Sequence, residues 1–241
     1  MQYSKICSSY DTLSQKASDL LLTCIENKPD AVICLATGAT PLLTYQYMAT
    51  KARQRQTDLS KVTFVKLDEW VGLPLQTPGT CEHFLQQHVM QPLALREDQL
   101  IGFRSEGIDE TECLRVIHQI AQRGGLDLCV LGLGKNGHLG LNEPSMTLEP
   151  ACHISVLDEK TRSHAMLQQA GKPVEYGITL GLKDIINARE VLMLIAGEGK
   201  KDAVELFLSK KISTLTPASL LWLHDKLTCL IDGSVYPPQN K

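Results

Sequence analysis

The stretch Cys129-Val-Leu-Gly-Leu-Gly-Lys-Asn-Gly-His-Leu-Gly-Leu-Asn-Glu-Pro144 decides the reading of this chain. It opens as a short apolar run, passes into a glycine-rich turn and closes at a proline. A short apolar run bounded by turn signals fits a strand buried on both faces, as in parallel sheets covered by helices. Glycines at its end let the backbone come close to a ligand. The turn then presents His138 and Glu143, a histidine and a carboxylate of the kind used in acid–base chemistry.

The rest of the chain repeats that alternation. Apolar positions Leu13, Ala17, Leu20, Leu21 and Cys24 predict an amphipathic helix over 12–26, followed by a strand over 31–35 and a helix starting at Pro41. A strand over 62–67 leads into a loop rich in proline and glycine (72–79) and a helix over 80–90 with Thr80 as N-cap. Further elements are expected as a helix over 109–122, a strand over 126–131, a strand near Ile154 and a helix over 159–169. A strand over 190–195, helices over 200–208 and from Pro217, and a last strand over 227–231 complete the set. The pattern predicts an α/β fold, an open, mostly parallel, Rossmann-like sheet with helices on both faces. No linker divides the chain, so residues 1–241 read as a single domain with a frayed tail over 233–241.

Bulk properties exclude several classes. The 241 residues are ample for a buried core. A net charge of −3 gives no electrostatic case for nucleic acid or an acidic membrane surface. No apolar run approaches the roughly 20 residues that span a bilayer, and the N-terminus lacks the apolar core of a signal peptide. Eight scattered cysteines form no C-x-x-C pair. A reduced, cytoplasmic protein is therefore expected. The histidines show no metal-ligand spacing, so no metal is expected.

In parallel sheets, ligands bind outside the carboxyl ends of the strands. Three unusual loops lie at such ends. The first, Ala36-Thr-Gly-Ala-Thr-Pro41, exposes backbone N–H groups and two hydroxyls at a helix start, a ready anion site, with Pro41 suited to the first helical position. Read blandly, it is an ordinary strand–turn–helix connection. In the second, Asp68 could act as a general base if partly desolvated, whereas the bland reading makes Asp68 and Glu69 solvated acids. The third contains Gly132-Leu-Gly-Lys-Asn-Gly137, which matches the dinucleotide pattern G-x-G-x-x-G. Pro144 and Pro150 interrupt the segment where its helix should run, which argues against dinucleotide binding. Arg162 and Lys200 are candidate phosphate partners that, taken alone, are ordinary surface cations.

Together these loops resemble the glucosamine/galactosamine-6-phosphate deaminase/isomerase family, and most of all its bacterial galactosamine-6-phosphate members. The resemblance covers nearly the whole chain. It is carried by Thr37-Gly-Ala-Thr-Pro41, Leu67-Asp-Glu-Trp-Val-Gly-Leu73, the Gly132–Pro144 motif and Gly197-Glu-Gly-Lys200. It implies that Thr37, Gly38, Ala39, Thr40, Arg162 and Lys200 hold a sugar 6-phosphate. His138, oriented by Glu143 and Asn136, would open the pyranose ring. Asp68 would move a proton from C2 to C1, and the 2-amino group would leave as ammonia on hydrolysis. The implied partner is a small amino-sugar phosphate, with no cofactor. The family includes monomers and larger assemblies, which leaves a homo-oligomer open.

The chain departs from the family at Asn136, where many members have Asp, at Trp70, where Tyr is common, and at Ala39, in place of a second glycine. An amide at 136 can fix a ring tautomer but adds no charge. The 6-phosphogluconolactonases resemble one another in a Gly-Asp-Glu-Arg segment and a Ser-Leu-Phe-Pro ending that Leu67-Asp-Glu-Trp70 and Gly140-Leu-Asn-Glu-Pro144 do not match. A sugar-phosphate sensor would need a DNA-binding segment, for which the chain leaves no room before its core.

Overall fold

Alternate residues of the central strands face opposite ways, and both faces are apolar, so helices must cover both. The computed structural model describes residues 3–236. Its strands are β1 (Tyr3–Cys7), β2 (Val32–Leu35), β3 (Thr63–Lys66), β4 (Asp68–Trp70), β5 (Leu100–Ile101), β6 (Leu128–Gly132), β7 (His153–Val156), β8 (Tyr176–Thr179), β9 (Glu190–Ile195) and β10 (Leu227–Asp232). Its α-helices are α1 (Tyr10–Asn27), α2 (Ala39–Arg55), α3 (Cys81–Leu85), α4 (Glu110–Gln122), α5 (Glu159–Arg162), α6 (Ala165–Ala170), α7 (Leu182–Ile186) and α8 (Lys201–Leu208).

Seven strands form one sheet in the order β1-β10-β9-β6-β2-β3-β5, with every neighbouring pair parallel. Ile33, Leu35, Val130, Leu192 and Leu194 face α1 and α2, meeting Leu21, Ile25, Tyr45 and Met48. Val32, Cys34, Cys129, Leu131 and Met193 face the other way, toward Val116 of α4, Ile185 of α7 and Phe207 of α8. Burying a side chain of this size contributes about 1.5–3 kcal/mol, so these two apolar layers fix the sheet. All eight cysteines are free thiols. Among the described residues no helix is long and apolar enough to cross a membrane.

The strand order sets the place of the site. β2 has β3 on one side and β6 on the other, so the chain leaves β2 outward in one direction and later returns on the opposite flank. Such a switch point opens a crevice at the carboxyl ends of the strands. The three unusual loops all start there, and so does the turn after β9.

The parallel sheet and the single domain are as expected, but several local expectations need correction. Helix α2 begins at Ala39 with Gly38 as N-cap, which puts Pro41 at the third helical position. Its missing N–H is still harmless there, because first-turn donors have no intrahelical acceptor. Asp68 and Glu69 do not end β3. The chain steps sideways at Leu67, whose carbonyl accepts from Leu180 N at 2.9 Å, and starts β4. β4 pairs with β8, and β8 with β7, in a second, antiparallel sheet that the sequence did not suggest. The helix expected over 159–169 is two short ones, α5 and α6, broken at Ser163 and His164. The segment from Pro217 is a 3-10 helix (Pro217–Leu223). Of the tail over 233–241, residues 233–236 form a turn on Asp232, and 237–241 lie outside the described residues.

Candidate active site

Gly38 takes φ 93°, a left-handed conformation that glycine adopts without strain, and no side chain caps the helix it opens. The first N–H groups of the 17-residue α2 therefore face the crevice with the positive end of the helix dipole. Tyr45, buried in α2, donates to Ala36 O at 2.7 Å and so holds the loop to its own helix. Across the loop, Lys200 Nζ donates to Thr40 Oγ1 at 3.0 Å. Burial, reinforced by the nearby Lys135, pushes the Lys200 pKa down to about 8. Lys135 reaches over Gly199, where an added Cβ would come within 3.6 Å of its Nζ. A helix N-terminus and two cations meet at one place, an arrangement suited to an anion.

Asp68 and Glu69 face opposite ways from β4, and neither is a solvated acid. Asp68 is 8% exposed and lines the crevice, and Glu69 is 0% exposed behind it. Burial pushes the Asp68 pKa up to about 6, aided by Glu69 and opposed by Cys81, His138 and Lys66. Glu69 accepts from the backbone N–H of Trp70, Cys81 and Glu82 at 2.9, 2.9 and 2.8 Å, and from Lys66 Nζ at 2.8 Å. Lys66 also pairs with Glu82 at 2.8 Å and donates to Phe103 O at 3.0 Å. Burial works against the Lys66 charge, but Glu69 and Glu82 outweigh it and raise its pKa. This network fastens β4 to the start of α3 and fixes the backbone beneath Asp68.

The glycine turn after β6 presents His138. Its ring lies flat on Gly134, where a Cβ would come 2.4 Å from Nε2, so only glycine fits. His138 Nδ1 is 3.2 Å from Glu143 Oε2 and 3.4 Å from Thr161 Oγ1. An ionised carboxylate only accepts, so Nδ1 carries a proton and Nε2 keeps the free lone pair of the neutral ring. Burial raises the Glu143 pKa, but His138, Thr161 and Asn136 reverse that and leave it below the ordinary range. Asn136 Nδ2 donates to the same Oε2 at 3.0 Å, while its Oδ1 accepts from His138 N at 3.2 Å. An aspartate could not make the first of these bonds without taking up a proton.

These groups share one cavity of about 920 Å³. Thr37, Gly38, Ala39, Thr40, Asp68, Asn136, His138 and Lys200 line it, while Glu143 stands behind His138. Arg162 is the exception. It is the last residue of α5, its side chain is exposed, and its Nε donates to Leu157 O at 3.0 Å. From this segment Thr161, Ser163 and His164 line the cavity instead. His164 caps α6, with Nδ1 accepting from Met166 N at 3.3 Å, and its ring stands 6.3 Å from that of Trp70. Partial burial, together with His138, Lys200 and Lys135, pushes its pKa below the ordinary value. Lys135, Cys81, Thr161 and His164 were not singled out from the sequence. Lys135 lay inside the quoted motif, whereas nothing local marks the other three.

The arrangement defines an acid–base site beside an anion grip, at the switch point of a Rossmann-like sheet. The family described as glucosamine-6-phosphate isomerases/6-phosphogluconolactonase matches residues 8–229, and the chain belongs to it. Over 224 residues it is 67% identical to the Escherichia coli (strain K12) protein named "Putative deaminase AgaI", covering 93% of this chain and 89% of that one. It is 31% identical over 242 residues to a glucosamine-6-phosphate deaminase of Thermoanaerobacter sp. (strain X514), covering 98% and 95%. A solved monomeric glucosamine-6-phosphate deaminase superposes with a TM-score of 0.92 at 31% identity, over 97% of this chain and 98% of that one. A 6-phosphogluconolactonase from Trypanosoma cruzi superposes at 0.79 with 17% identity, over 100% and 98%, a likeness of fold alone.

Proposed function

We propose that the protein is an amino-sugar phosphate deaminase/isomerase that converts D-galactosamine 6-phosphate and water to D-tagatose 6-phosphate and ammonia. The observation that carries this reading is the convergence of a desolvated carboxylate, a carboxylate-oriented imidazole and an anion grip in one cavity. The phosphate sits on the N–H groups of residues 38–40 and the Lys200 ammonium, which anchors the sugar by its far end. His138 Nε2 takes the proton of the anomeric hydroxyl and returns it to the ring oxygen, which opens the ring to the aldehyde. Glu143 holds the imidazolium that forms between those two transfers.

Asp68 then takes the hydrogen on C2 as O1 takes up a proton, which leaves an enolamine, and delivers that hydrogen to C1 as the nitrogen gives up a proton. The product is a C2 imine. Water adds to it, the amine departs as ammonia, and a ketone remains. A carboxyl with a pKa near 6 is ionised at neutral pH and basic enough for that step. Resemblance to the bacterial galactosamine-6-phosphate enzymes favours the galacto sugar. Relatives at 31–34% identity that are named glucosamine-6-phosphate deaminases support the gluco epimer as the second reading.

The test is to supply each epimer to purified protein and follow ammonia. Release from galactosamine 6-phosphate with the higher kcat/KM is expected. A higher value for glucosamine 6-phosphate would overturn the epimer assignment, and no release from either would end the deaminase reading.

A further inference from the structure

Among the described residues Asp68 has one side-chain donor, and it is a thiol. Cys81 is the first residue of α3, and its N–H is fixed on Glu69 Oε1 at 2.9 Å. Its side chain is buried between the anion loop and the carboxylate. Thr37 Oγ1 donates to Cys81 Sγ at 3.2 Å, and Cys81 Sγ donates to Asp68 Oδ1 at 3.4 Å. A thiol has a single proton. Because the Thr37 hydroxyl points its proton at the sulfur, the S–H is directed to the carboxylate.

We propose that Cys81 is a positioning residue for Asp68, its thiol holding the carboxylate toward the cavity and tying it to the anion loop through Thr37. This rests on the reading of Asp68 as the base that takes the C2 proton. Burial, then the charges of Glu69 and Asp68, keep the Cys81 pKa well above its usual value, so the sulfur stays a donor over the working pH range. Its bond favours the ionised carboxylate and opposes the burial that raises the Asp68 pKa. The other groups facing Asp68 are Glu69, which raises that pKa, and His138 and Lys66, which lower it. Cys34 of β2 and Tyr45 of α2 lie in the field of Asp68 as a neutral thiol and phenol. Cys81 is thus a neutral, proton-bearing contact that restrains the base without quenching it.

The experiment is the pH profile of kcat/KM for the full-length enzyme and its Cys81→Ala and Cys81→Ser variants, over about pH 5 to 9. Alanine should move the acid limb up by about 0.5–1 pH unit, which is a roughly three- to tenfold loss on the acid side that fades toward alkaline pH. Serine, whose hydroxyl also donates, should return the limb to the wild-type position. Cys81→Val keeps the volume without the donor, and it should reproduce the alanine shift if the alanine variant fails to fold. An unmoved acid limb in the alanine and valine variants, or serine behaving like alanine, overturns the proposal. Asp68→Asn separates the two levels: if it is inactive while the limb stays put, only the role of the thiol is lost. Turnover by Asp68→Asn would remove the base assignment itself.

Discussion

The floor of the cavity and its upper wall are built on different principles. The floor consists of the turns after β2, β3, β6 and β9, each anchored in a strand buried on both sides. The wall is residues 157–170, two helices of four and six residues joined at a cap, with Leu157, Met166 and Leu167 as its buried anchors in a small apolar cluster. Floor side chains are fixed by backbone donors and buried ion pairs, as Glu69 and Lys66 show. Wall side chains such as Arg162 and Ser163 are exposed and bond mainly within their own segment. The buried carboxylates Asp68 and Glu69 are thus held on the floor, while the wall lines the cavity with Thr161, Ser163 and His164.

The largest expected effect tests the rigidity of the floor. Glu69→Ala leaves Lys66 buried with Glu82 as its remaining carboxylate and strips the acceptor from three backbone N–H groups. Breaking a buried pair of this kind costs about 3–5 kcal/mol. At about 2–4 °C per kcal/mol for a chain of this size, calorimetry should show a Tm lower by roughly 10 °C. An unchanged Tm would mean the network is not what holds β4 to α3.

Next is the anion grip. Lys200→Met removes a cation that touches Thr40 and should raise KM by about 10- to 100-fold, with a smaller change in kcat. Steady-state kinetics with the phosphorylated sugar would show this, and an unchanged KM would take the phosphate away from residues 38–40.

The pH profile follows from the same two groups. Asp68 must be ionised to accept a proton, so kcat/KM should rise with pH through about 6. Lys200 must be protonated to hold phosphate, so kcat/KM should fall as pH passes about 8. A bell between those values is expected, and Lys200→Met should lose the alkaline limb while keeping the acid one. The smallest effect belongs to the wall: Arg162→Ala should change KM by less than about threefold, because its side chain bonds to Leu157 O and is not part of the cavity lining. A tenfold rise would mean that the segment rearranges to bring Arg162 to the phosphate.

The same contrast explains what could be read from the sequence. β2, β6 and β9 are legible because strands buried on both faces write an unbroken apolar run, and the glycines after Leu131 mark the turn. Thr80 is legible as a cap because its hydroxyl accepts from His83 N, the purpose for which threonine is favoured there. β4 is not, because Asp68-Glu69-Trp70 has the composition of a loop, and its acids are made tolerable by partners that include Lys66, Cys81 and Glu82, distant in sequence or hidden in it. β8 contains Gly177, whose missing Cβ makes room for Leu141, so it reads as a break rather than a strand. The step from α5 to α6 depends on His164 Nδ1 accepting the Met166 N–H, a capping role for which histidine is not a usual choice. Arg162, at the end of α5, donates to Leu157 O and is not among the residues that line the cavity.

The central claim is that one floor residue, Asp68, carries the C2 proton while the phosphate is held elsewhere in the same cavity. The most direct measurement is Asp68→Asn, with ammonia release and phosphate-dependent binding followed in parallel. The account predicts that release falls by at least about a thousandfold while binding of the sugar phosphate stays within a few-fold of wild type. Normal ammonia release by the variant would contradict it.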